Sequence, residues 1–182
     1  RIKLAAFRLG FNPATAFNLA SKLGLGLVDR VTNQIKNEMG QKERTTLLQR
    51  LFLSWNDVDW ARTRAYSLGG TSPGFYVTLR GREPQGSVAP GEEYEAVRAE
   101  IARRLPDWQD PDTGHSLVER VYRREELHSG PYAERAPDVI FTTRDEAYVG
   151  FGGHEFADNR IIGPSMLFNG HHRMDGMISL AG

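Results

Sequence analysis

The chain has 182 residues, 40% of them apolar and 25% charged, with Lys plus Arg equal to Asp plus Glu. That is the mixture of one globular domain able to bury about 70% of its unfolded surface. Zero net charge argues against a nucleic-acid polymer as partner, since sequence-independent binding rests on excess positive charge. The lack of cysteine excludes disulfides, thiolate metal sites and cysteine nucleophiles together.

Asn12-Pro13 opens a helix that runs to Leu23 and exits at Gly24. Leu25 to Ile35 has the spacing of a second helix, and 37–46 reads as a polar loop. Leu48, Leu51 and Phe52 are again at helical spacing. Asp57 and Asp59 lie on one face of an extended stretch. They would suit a metal, but ion pairs with Arg62 or Arg64, or the capping of a turn, are the favoured reading.

Gly74 to Leu79, rich in aromatic and β-branched residues, predicts a strand. Arg80 and Arg82 follow at a turn; their guanidinium forks suit a phosphate, yet pairing with Glu83 or nearby acids is favoured. The clearest helix starts at Pro90-Gly91-Glu92-Glu93, buries Tyr94, Val97, Ile101 and Leu105, and stops at Pro106. A polar turn over 107–114 leads to a strand over 116–122. Glu125, Glu126 and His128 are read as loop residues, and neither His128 nor His115 has a strong case as a ligand. Further short strands are predicted at 139–142 and 148–151.

Gly152-Gly153-His154-Glu155 invites a zinc-protease reading, but position 158 is Asp where a second His is required, so that reading is rejected. The glycines there also lack dinucleotide-fingerprint spacing. Last comes Asn169-Gly170-His171-His172-Arg173-Met174-Asp175-Gly176, a turn with two imidazoles before an apolar strand, and neutral imidazole is a good zinc ligand. The element pattern predicts an α/β fold with a helical N-terminal portion, divided as 1–56 and 57–182. No run nears the ~20 apolar residues of a membrane span. No signal-peptide pattern is present, which points to a cytoplasmic protein unless a preceding segment carries one. A start at Arg1 and a stop straight after a strand-like run lead to the expectation that both ends are cuts.

From Asp57 onward the order of segments resembles the C-terminal part of the type I phosphodiesterase/nucleotide pyrophosphatase family of the alkaline phosphatase superfamily. The stretches that carry it are 59–66, 76–84, 90–94, Gly130-Pro131-Tyr132, Ala136-Pro137-Asp138 and 170–176. The resemblance implies a partial α/β/α sandwich and a phosphate-ester hydrolase with two divalent metals, commonly zinc, and a Thr or Ser nucleophile. It implies that His172 is a metal ligand, with His171, Arg173, Asp175, Arg80 and Arg82 near the ligand or the substrate.

Other features depart from the family. Thr78 stands where it often has Asn, and no Asp-x-x-x-His motif is present, so the nucleophile and most ligands are expected in a preceding part of the protein. One ligand alone cannot hold zinc firmly, because catalytic sites use three. The isolated chain is therefore expected to be inactive. The alternatives are a non-catalytic ligand-binding or interaction domain, and a sulfatase or phosphomutase of the same superfamily.

Overall fold

The computed structural model describes residues 2–22, 51–68, 73–149, 159 and 162–163. The chain divides into two compact units, Arg1–Val58 with His154–Ile161, and Asp59–Gly153 with Ile162–Gly182.

In the first unit, helix α1 (Ile2–Arg8) precedes helix α2 (Pro13–Lys22). Asn12 sets the start of α2 as the sequence predicts. Its Oδ1 accepts from the Thr15 N–H at 3.0 Å, while its own N–H donates to Thr15 Oγ1 at 3.2 Å. Asn12 is wholly buried, and its Nδ2 also donates to Asn159 Oδ1. The predicted helix over 25–35 and the loop over 37–46 lie outside the described residues. Asp57 closes the short turn Trp55–Asp57 by accepting from the Ser54 N–H and hydroxyl, and it pairs with Lys3 at 3.0 Å. Of the two expectations for Asp57, the capping of a turn is the one observed, and its ion-pair partner is Lys3. Asp59 precedes a separate turn, Trp60–Arg62, in the other unit.

The second unit mixes helix and sheet. Its strands are β1 (Ala65–Tyr66), β2 (Gly74–Val77), β3 (Val118–Arg123) and β4 (Val139–Thr143). They lie in the order β1-β2-β4-β3, and every described pairing is antiparallel. Register places Phe75 opposite Val139, and Val121 opposite Phe141. One sheet face therefore carries these four apolar side chains toward helix α3 (Glu92–Arg104).

Leu105, Leu117, Val118, Val139 and Phe141 form one buried cluster, and Val77, Val88 and Val97 a second. Ile101 packs against both, so the predicted stripe of Tyr94, Val97, Ile101 and Leu105 is the face that α3 buries. Arg98 is the surprise on this helix: it is 3% exposed although charged. Residues 124–127, expected as loop, form a single helical turn, α4 (Arg124–Leu127). The reason is local, because Glu126 Oε1 caps the Arg123 N–H at 2.7 Å. Tyr148 and Val149 fall outside any described strand. Tyr148 instead donates its hydroxyl to Asp110 at 2.7 Å, while Asp110 caps the turn at 110–113.

Candidate functional site

Asp138 precedes β4 and is completely buried. A buried carboxylate persists as an anion only if donors replace its water, and five do so here. Arg82 grips it with both terminal nitrogens, at 2.8 and 2.6 Å. Arg124 donates at 2.9 Å, the Tyr94 hydroxyl at 2.6 Å and the Val77 N–H at 2.7 Å. Burial alone would raise the Asp138 pKa, but the hydrogen bonds from Arg82, Tyr94 and Val77 hold it below the usual carboxylate range. The same contact shifts its partners. Tyr94 is pushed up to about 12, by burial and then by its bond to Asp138, and Arg82 is held more firmly protonated.

The carboxylate also belongs to a chain of alternating charges. Glu83 pairs with Arg82 at 2.8 Å, Arg82 with Asp138 at 2.6 Å, Asp138 with Arg124 at 2.9 Å, and Arg124 with Glu125 at 3.3 Å. Glu125 then pairs with Arg98, Arg98 with Glu95 at 2.9 Å, and Glu95 with Arg123 at 2.7 Å. Acid and base alternate throughout, so each inner charge is flanked by two of opposite sign. The chain ties the turn after β2, helix α3, helix α4 and the start of β4 to one another. Arg98 Nε additionally reaches the Asp138 carbonyl at 3.3 Å.

Beside the Glu83 end of this chain lies a cleft of about 280 Å³ lined by Trp60, Tyr66, Thr78, Glu83, Pro84 and Gln85. Trp60 meets Tyr66 edge to face at 5.5 Å, and Tyr66 stacks on Tyr76 at 5.4 Å. Thr78 is buried, and its hydroxyl contacts the Thr63 carbonyl and lies 2.8 Å from Ser87 Oγ. Ser87 Oγ donates to the same carbonyl at 2.6 Å. Both hydroxyls are therefore committed to backbone, as structural and not nucleophilic groups are.

The residues singled out in the sequence fare differently. Arg82 is the central cation of the Asp138 cluster and pairs with Glu83. Arg80 is exposed and donates to the Ser87 carbonyl at 3.1 Å. His171, His172, Arg173 and Asp175 lie outside the described residues, as does His154. Among the described residues no group of three or more His, Asp or Glu side chains is placed to hold a metal ion. Asp138 does not suit a metal, because five donors already exceed the roughly four lone-pair sites of a carboxylate. Asp138, Arg98 and Arg124 were not identified from sequence as interacting groups. The cue is the acid and arginine content of 79–83, 92–98 and 123–126, but nothing local says which partners meet.

Comparison of the chain with family models, with curated proteins and with solved structures finds no match. Among the described residues no helix is long and apolar enough to cross a membrane.

Proposed function

We propose that this chain is the C-terminal part of a metal-dependent phosphohydrolase or phosphodiesterase of the alkaline phosphatase superfamily, with the α/β/α sandwich of that superfamily completed by a preceding part of the protein. The observation that supports this reading is the meeting of three of the six resembling stretches at one carboxylate. Val77 and Arg82 from 76–84, Tyr94 from 90–94 and Asp138 from 136–138 all bond within the Asp138 cluster. Stretches that recur together in one order have a physical reason to do so if they build one buried scaffold.

In this reading His172 supplies one metal ligand, and His171, Arg173 and Asp175 stand near it. Arg80, exposed where Arg82 is engaged on Asp138, is the better placed of the two arginines to meet a phosphate oxygen. Two divalent ions, zinc first, would neutralise phosphoryl oxygens when bound, and the Thr or Ser nucleophile would come from outside this chain. The substrate is a small phosphate ester.

The test uses the complete protein that carries this chain. It is expected to bind about two metal ions and to hydrolyse p-nitrophenyl phosphate or bis-p-nitrophenyl phosphate, and His172→Ala should lower that rate by more than the roughly 10–100-fold typical of outer-sphere losses. Undiminished activity in the variant, or a metal-free protein without esterase activity, overturns the assignment. Preferential hydrolysis of an aryl sulfate would move it to the sulfatases of the same superfamily.

A further inference from the structure

We propose that the cleft between Trp60, Tyr66 and Glu83 binds a small organic cation, an ammonium whose nitrogen carries apolar groups. This stands on the cleft itself and does not depend on the phosphoesterase reading.

The walls are aromatic. Trp60 and Tyr66 stand at 87° to each other, and Tyr76 backs Tyr66 with an interplanar angle of 18°. The backing holds the Tyr66 ring in place, and ring faces attract cations through their quadrupole. Pro84 adds an apolar rim beside Gln85. No lysine or arginine is among the described lining residues.

The charge comes from Glu83. Every inner member of the ion-pair chain has two partners of opposite sign, but Glu83 is its acidic end and, among the described residues, pairs with Arg82 alone. Arg82 in turn directs two of its N–H groups to Asp138. The compensating basic end, Arg123, lies beyond Glu95 on the far side of six intervening members. The Glu83 carboxylate accepts from the Leu79 N–H and from Arg82 Nε, two of about four lone-pair sites. The Tyr66 hydroxyl registers the local field: burial first, then Glu83 outweighing Arg82, holds its pKa above the ordinary value.

The ligand class follows by elimination. An anion is repelled by Glu83. A bare metal ion would find one carboxylate among the described lining residues, beside the Gln85 amide and a Thr78 hydroxyl already given to the Thr63 carbonyl, where several oxygen ligands are needed. At about 280 Å³ the cleft is slightly smaller than the 300 to 1,000 Å³ typical of drug-sized ligands, which suits a compact head group.

Calorimetric titration of the whole chain with choline, and separately with its neutral isostere bearing tert-butyl in place of trimethylammonium, tests the proposal. Choline should saturate one site and bind at least about tenfold more tightly than the isostere. Tyr66→Leu should weaken choline by about the same factor, and Tyr132→Leu, at an exposed tyrosine outside the cleft, should leave it unchanged. Should Tyr66→Leu fail to fold, Gln85→Lys at the exposed rim carries the same expectation through charge alone. Equal affinity for the isostere, no saturable binding, or unaltered binding in the folded cleft variants overturns the proposal.

Discussion

A carboxylate with no exposure to water and five donors around it is stable as the anion and poorly accommodated as the acid. Asp138 thus links folding to pH. Its folded-state pKa lies below the unfolded value near about 3.9, so its stabilisation is fully present above that value and disappears as pH falls through the lower, folded-state one. Asp138→Asn keeps the size but takes the buried counter-charge from Arg82 and Arg124, leaving each with one acid more exposed than Asp138, Glu83 and Glu125 respectively, and breaking a buried pair in this way costs about 3–5 kcal/mol. Urea unfolding at neutral pH should show that loss. It should also show a flatter dependence on pH in the acid range, because the group that titrates is gone. Tyr94→Phe removes one donor of five and should cost less, about 1.5 kcal/mol, the low end for a bond to a charged group.

Between residue and domain, two turns hold the sheet in register, and each carries a geometric demand. Gly86 sits where the chain folds back after β2. The Thr78 carbonyl accepts from both Ser87 and Val88, and Arg80 donates to the Val88 carbonyl. A Cβ at Gly86 would lie 2.3 Å from the Leu79 carbonyl oxygen, a backbone atom that can move only with its segment. Gly86→Ala should therefore destabilise the fold by about 1–3 kcal/mol, measurable by thermal unfolding. After β4, Asp145 and Glu146 have φ of 51° and 52°, and Ala147 donates to the Arg144 carbonyl. This left-handed turn suits glycine or asparagine. Asp145→Gly should gain about 0.5 kcal/mol, the relief of the left-handed conformation exceeding the entropy glycine adds to the unfolded chain. Neither demand was visible in the sequence. The turn read at Arg80 and Arg82 carries no sign of the close approach at Gly86, and Arg144-Asp145-Glu146 has no turn-forming residue pair of the usual kind.

At the scale of the whole molecule, local signals were legible and distant ones were not. The cap of α2, the stripe of α3 and the apolar runs of β2, β3 and β4 sit in neighbouring residues, so the sequence placed these elements to within about two residues and showed the face that α3 buries. The ion-pair chain joins residues as far apart as Arg82 and Asp138, and no periodicity announces such a meeting. The metal-site expectation at His172 stays a matter for experiment because that turn lies outside the described residues. Charge, by contrast, is a property of composition, and it carries a last prediction. The chain has zero formal charge and a pI near 7.2, while Ile2 and Leu9 are 87% and 89% exposed. Near neutral pH nothing opposes apolar contact between copies, so self-association should be strongest there. At about pH 5.5, well below the isoelectric point, the chain carries a net positive charge. That pH is still well above the range in which Asp138 titrates, so the fold is retained and only the repulsion changes. Light scattering of the same sample at both pH values should report smaller species at the acid one. An unchanged or larger mass there would mean that contacts other than the exposed apolar residues, and not the vanishing net charge, govern association.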